Sequence, residues 1–90
     1  MRKIEKFMLA AIEHHVPWSM NNTQVSIDAN TAHVFLFGKH IASVVNGGTP
    51  IVNLDTLRAY PTATTKSRLR ALGVDVTTKK GITYLNGEEV

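Results

Sequence analysis

Ninety residues carrying a formal charge of +3 and 43% hydrophobic side chains describe one small globular domain, 1–90, not a disordered tail. The absence of cysteine excludes a disulfide scaffold and a thiolate metal site, and fits a reducing cytoplasm. No apolar run approaches the roughly 18 residues of a membrane span, and Glu5 and Glu13 interrupt what would otherwise resemble a signal peptide after Met1-Arg2-Lys3.

The first element is a helix. Ile4, Phe7, Met8, Ala11 and Ile12 recur at helical spacing and predict one apolar face, with Lys3, Lys6 and Glu13 outside it. Pro17 is expected to end it, with Trp18 packed over its end and Asn21-Asn22 turning the chain. Strands follow. Thr23 to Asp28 alternates, Ala29-Asn30 makes a turn, and His33 to Phe37 is apolar on both faces. The last of these is expected inside a sheet or at a subunit interface, because leaving its large side chains in water forfeits about 1.5–3 kcal/mol each. Gly38-Lys39 turns into Ile41 to Val45, Asn46-Gly47-Gly48 is a strong turn signal, and Ile51 to Leu54 reads as a fourth strand.

Tyr60 to Gly73 carries the most chemistry. Pro61 ends the preceding element, Thr64 or Thr65 is a suitable N-cap, Leu69 and Leu72 supply an apolar stripe, and Gly73 stops a short helix. Hydroxyls and orphan backbone N–H groups then gather beside Lys66, Ser67 and Arg68, an arrangement that favours a phosphate. On this reading Arg68→Ala removes a ligand contact and leaves the fold intact. Beyond it, Val74 to Thr77 and Ile82 to Leu85 flank Lys80-Gly81 as a hairpin, and Asn86-Gly87 turns again. The sum is an α+β domain: a small antiparallel sheet, an N-terminal amphipathic helix, and a second short helix before a C-terminal hairpin.

Six of the ten Lys and Arg residues lie between Arg58 and Lys80, offset only by Asp75, so positive potential concentrates in the C-terminal half. Catalytic constellations are poor. The four serines sit in no nucleophile elbow, and Asn46-Gly47-Gly48-Thr49 lacks the Lys-Ser/Thr of a phosphate-binding loop. His14 and His15 point in different directions on a helix, while His33 and His40 are placed to approach across a hairpin in a structural or surface role rather than as metal ligands. No enzyme, cofactor or metal is expected.

Asn22-Thr23-Gln24-Val25, Val34-Phe35-Leu36-Phe37-Gly38 with Ile41-Ala42, and Thr64-Thr65-Lys66-Ser67-Arg68-Leu69 with Ala71-Leu72 resemble a pattern in small phage-encoded proteins of unknown function. The resemblance covers about residues 18–73 and implies the cytoplasm of an infected host. Small phage proteins of this kind bind nucleic acid, block a host enzyme or disarm host defence, and some anti-defence sponges are oligomers that trap signalling nucleotides. Three functions follow as expectations. The first is a non-catalytic nucleotide sponge, a homo-oligomer holding phosphates through Thr64, Thr65, Lys66, Ser67, Arg68 and Arg70. Tyr60 or Trp18 would stack on the base. The second is DNA or RNA binding along the basic 58–80 segment, and the third is inhibition of a host enzyme. The sponge ranks first because hydroxyls and cations focus at one helix end.

Overall fold

The computed structural model describes all residues 1–90 and has eight strands and three helices. The N-terminal helix α1 (Lys3–His14) is followed by β1 (Trp18–Met20), β2 (Thr23–Asp28), β3 (Thr31–Leu36), β4 (Lys39–Val45) and β5 (Ile51–Val52). These strands form one antiparallel sheet in the order β1-β2-β3-β4-β5. Two helices, α2 (Leu54–Ala59) and α3 (Ala63–Ala71), lead to a second sheet of β6 (Val76–Lys79), β7 (Ile82–Leu85) and β8 (Glu88–Glu89). The α+β architecture and the hairpin turns at Ala29-Asn30, Lys80-Gly81 and Asn86-Gly87 are those expected from the sequence.

Alternation decides what the first sheet buries. Ala32, Val34 and Leu36 of β3 point to one face, where Met8 and Ala11 of α1, Leu57 of α2 and Leu69 of α3 join them in a single cluster. Each fully buried Met or Leu there contributes about 1.5–3 kcal/mol. Thr31, His33 and Phe35 lie on the opposite face. Strand β3 is thus central, with β2 and β4 paired on either side, as its two-sided composition requires.

A bulge shapes β4. Val34 pairs with Ala42 and Phe35 with His40, so Ile41 is an extra residue in the ladder. Ile41 and Ala42 are consequently both buried although adjacent. The same bulge puts His40 and Ser43 on one face, which strict alternation forbids for residues three apart.

Three expectations need correction. Helix α1 turns Glu5 into the interior and leaves Phe7 41% exposed, with Lys3 Nζ 5.9 Å from the Phe7 ring centroid. A carboxylate occupies the buried face because it has buried partners on α3, described below. Helix α1 ends at His14, where His15 takes a left-handed C-cap (φ 58°), two residues before Pro17. Strand β5 stops at Val52 and residues 54–59 form a helix, where Ile51 to Leu54 predicts a strand throughout. Asn53 accounts for the last difference: its side chain accepts the Thr56 N–H at 3.2 Å and starts α2.

Candidate functional site

The cap of α3 is Thr62, not Thr64 or Thr65. Its Oγ1 accepts the Thr65 N–H at 3.1 Å and lies 3.0 Å from the Thr65 hydroxyl. Starting the helix at Ala63 puts Ser67 and Arg68 in its second turn, past the orphan N–H groups of the first. Ser67 and Arg68 turn towards α1, where Ser67 Oγ donates to Glu5 Oε2 at 2.6 Å and Arg68 Nη1 donates to the same oxygen at 2.8 Å. Arg68 Nε also donates to Thr23 Oγ1 at 3.0 Å, and Glu5 Oε1 accepts the Arg2 N–H at 3.2 Å.

This is a buried ion pair, with both side chains only 3% exposed. Burial by itself would raise the Glu5 pKa. The Ser67 hydroxyl, the Arg2 N–H and the Arg68 guanidinium outweigh it and hold the carboxyl below its ordinary value. Arg68 is therefore a structural cation, and Arg68→Ala is expected to destabilise the fold, where the sequence alone suggests that it leaves the fold intact. Lys66 is also buried, with Nζ donating to Thr78 Oγ1, and Arg70 Nε donates to the Val76 carbonyl at 2.8 Å. Trp18 lies across the sheet on β1, beside Gln24 and Val25.

What remains at the first turn of α3 is a pocket. A cavity of about 250 Å³ is lined by Leu36, Phe37, Lys39, Ile41, Thr56, Tyr60, Thr62, Thr64 and Thr65. Of the residues expected to bind ligand, Tyr60, Thr64 and Thr65 meet here. Lys39 brings the cation, its Nζ 4.6 Å from the Tyr60 ring centroid. With Thr62 capping the Thr65 N–H, the Thr64 N–H at the pocket wall has no partner within the helix.

Phe37 forms the other rim, and its geometry is unfavourable in isolation. It occupies the first central position of the β3–β4 turn at φ 52°, followed by Gly38 at φ 76°, the conformation of a type I′ turn. Asparagine and glycine suit that position; a phenylalanine pays about 1–2 kcal/mol for it. The ring is 68% exposed, so packing returns little. Phe37→Asn is expected to raise stability by about 1 kcal/mol in denaturant unfolding. A fall in stability would mean that the ring packs in solution. Phe37 and Lys39 were not expected at this site because they lie more than 20 positions before Tyr60, at the β3–β4 turn and the start of β4, and only the fold brings them together.

The family model described as Kyanoviridae Gp96 protein matches residues 1–90. The chain belongs to that family. It is a phage protein, in agreement with the origin implied by its sequence pattern, and the family is one of unknown function. No curated protein and no solved structure matches the chain. No helix in it is long and apolar enough to cross a membrane.

Proposed function

We propose that this phage protein binds a small phosphate-bearing nucleotide, without turning it over, in the pocket between the β3–β4 turn and the start of α3. The observation that carries the reading is the convergence of two exposed rings, Phe37 and Tyr60, with the Lys39 ammonium around one cavity. An aromatic face stacks on a base, and the ammonium, the threonine hydroxyls and the Thr64 N–H suit a phosphate. No carboxylate, histidine or cysteine lines the cavity, which favours retention over chemistry. The size limits the ligand. About 250 Å³ lies just below the roughly 300–1,000 Å³ usual for small-molecule sites. That volume fits one nucleotide unit, or one end of a larger signalling nucleotide held half outside. Sequestering such a signal in the host would give a phage accessory protein an anti-defence role.

Nucleic-acid binding is the weaker reading. Lys66, Arg68 and Arg70 spend hydrogen bonds inside the fold, and Arg58 pairs with Asp55 at 3.8 Å. Lys79 and Lys80 stand at the tip of the β6–β7 hairpin. Salt separates the two. Three phosphate contacts on a duplex would lose about forty-fold in affinity between about 50 and 200 mM salt, through counterion release. A mononucleotide carries no condensed counterion layer and should weaken only a few-fold. Calorimetric titration with mono- and cyclic nucleotides, and with a duplex, at both salts is the test. Expected is salt-tolerant binding of one small nucleotide. Tight duplex binding with a steep slope, and no small nucleotide bound, would replace this reading.

A further inference from the structure

On the open face of the five-stranded sheet, hydrogen bonds run between β3, β4 and the start of α2, and their direction can be derived atom by atom. Asn53 Oδ1 accepts the Thr56 N–H at 3.2 Å, which fixes the other arm of its amide as the NH₂. That NH₂ is 3.1 Å from His40 Nδ1 and donates to it. A ring nitrogen that accepts carries no proton, so His40 is neutral with its hydrogen on Nε2. Nε2 donates to Ser43 Oγ at 2.7 Å, and the Ser43 hydroxyl in turn donates its one hydrogen bond to His33 Nδ1 at 2.8 Å.

Two imidazoles converging on one oxygen, with ring centroids 5.6 Å apart, raise the question of a metal. Asn53 opposes it. A metal on His40 Nε2 needs the proton on Nδ1 and an acceptor facing it, whereas Asn53 presents a donor there.

We propose that His40 is a protonation-sensitive latch on α2: a proton added at Nδ1 meets the Asn53 NH₂, and Asn53 must release either His40 or the α2 cap. Turning the amide offers Oδ1 to the protonated ring and withdraws it from Thr56. Helix α2 has only six residues, so one cap is a large part of its local stability. It also places Thr56 and Tyr60 on the pocket wall. The device stands whether or not that pocket takes a nucleotide.

The groups around His40 leave a positive charge unrelieved. His33 of β3 faces it at 5.6 Å and the Phe35 ring at 5.5 Å. Lys39 precedes it on β4 but lies over Tyr60, and on α2 Asp55 and Arg58 pair with each other. Neither imidazole has a carboxylate within ion-pair distance; the chain's ion pairs are Arg58–Asp55 and Arg68–Glu5. Burial first, and the charge of His33 second, hold the His40 pKa below its ordinary value of 6.5, against a smaller opposing effect of the Ala42 backbone. The sign follows. The unfolded chain binds this proton more readily, so the stability tied to neutral His40 is complete above 6.5 and is lost as pH falls through the folded value.

The test is an NMR titration of the ¹⁵N-labelled full chain from about pH 8 to about pH 5, the range in which histidine titrates. The Thr56 amide should move with the midpoint of the His40 ring. Its exchange, corrected for the intrinsic pH dependence, should speed up about five-fold, the size of a lost cap. Asn53→Asp keeps a capping oxygen and gives His40 a carboxylate, so the midpoint should rise above the wild-type value and the Thr56 amide should stop following it. His40→Gln, which does not titrate here, should abolish the Thr56 response. A Thr56 amide that stays still while His40 titrates, a His40 midpoint unmoved by Asn53→Asp, or a Thr56 response that survives in His40→Gln would each overturn the proposal.

Discussion

Glutamine in place of Glu5 is expected to remove about 3–5 kcal/mol of folding stability, because it strands the Arg68 guanidinium as an uncompensated buried charge. A domain of this size has only about 5–10 kcal/mol in total, so Glu5→Gln should melt tens of degrees lower or lose its cooperative transition. The pair need not be strongly favourable for this to hold, since desolvation of both charges offsets much of their attraction. Removing both therefore differs from removing one. Glu5→Leu with Arg68→Met should recover much of the loss, though not all, because Ser67 and Thr23 lose their hydrogen-bond partner. The same pair sets an acid limit. With its folded pKa held below the ordinary 4.5, Glu5 contributes stability that is complete above that value and lost as pH falls through the folded one. Denaturant unfolding of the single and double variants measures the effect. A cost below about 1 kcal/mol for Glu5→Gln would show that the pair is dispensable.

The fold was legible wherever local chemistry dictated it. Alternation in residues 23–28, the apolar run from His33, and the turn residues Ala29-Asn30, Lys80-Gly81 and Asn86-Gly87 act within a few positions and place β2, β3 and the C-terminal hairpin, although β3 stops at Leu36 and leaves Phe37 in the turn. The phase of α1 was not legible. Glu5 is buried by partners 62 and 63 residues away, and a hydrophobic pattern counts it as a solvent residue. Helix α3 itself was expected from Leu69, Leu72 and Gly73, but its buried face was not, since Lys66 and Arg68 are polar and find their partners on other elements. Three threonines near one helix start also left the cap ambiguous. With Thr62 as the cap, Ser67 and Arg68 fall in the second turn of α3, where they serve Glu5 of α1, and most of the expected anion site goes with them. Tyr60, Thr64 and Thr65 kept their place because they precede or open the helix, where a shift of two residues changes less.

The pocket's own test is expected to read as a loss of binding without a loss of fold. Lys39 is exposed and touches no carboxylate, so Lys39→Ala should leave the unfolding midpoint within about 0.5 kcal/mol of the wild type. If its ammonium meets a phosphate, the same change removes a charge-assisted contact of about 1.5–3 kcal/mol, or roughly 10–100-fold in Kd. Tyr60→Ala should cost a comparable amount where the ring stacks on a base, about 1–3 kcal/mol, and Tyr60→Phe should restore most of it, since stacking needs the ring and not the hydroxyl. The two effects should differ in kind. Loss of Lys39 should weaken phosphate-bearing ligands and spare the nucleoside, whereas loss of Tyr60 should weaken both. Arg70→Ala offers the contrast at the far end of α3, where the guanidinium serves the Val76 carbonyl and leaves nucleotide affinity unchanged. Equal affinities for nucleotide and nucleoside in Lys39→Ala and in the wild type would remove the phosphate from this site.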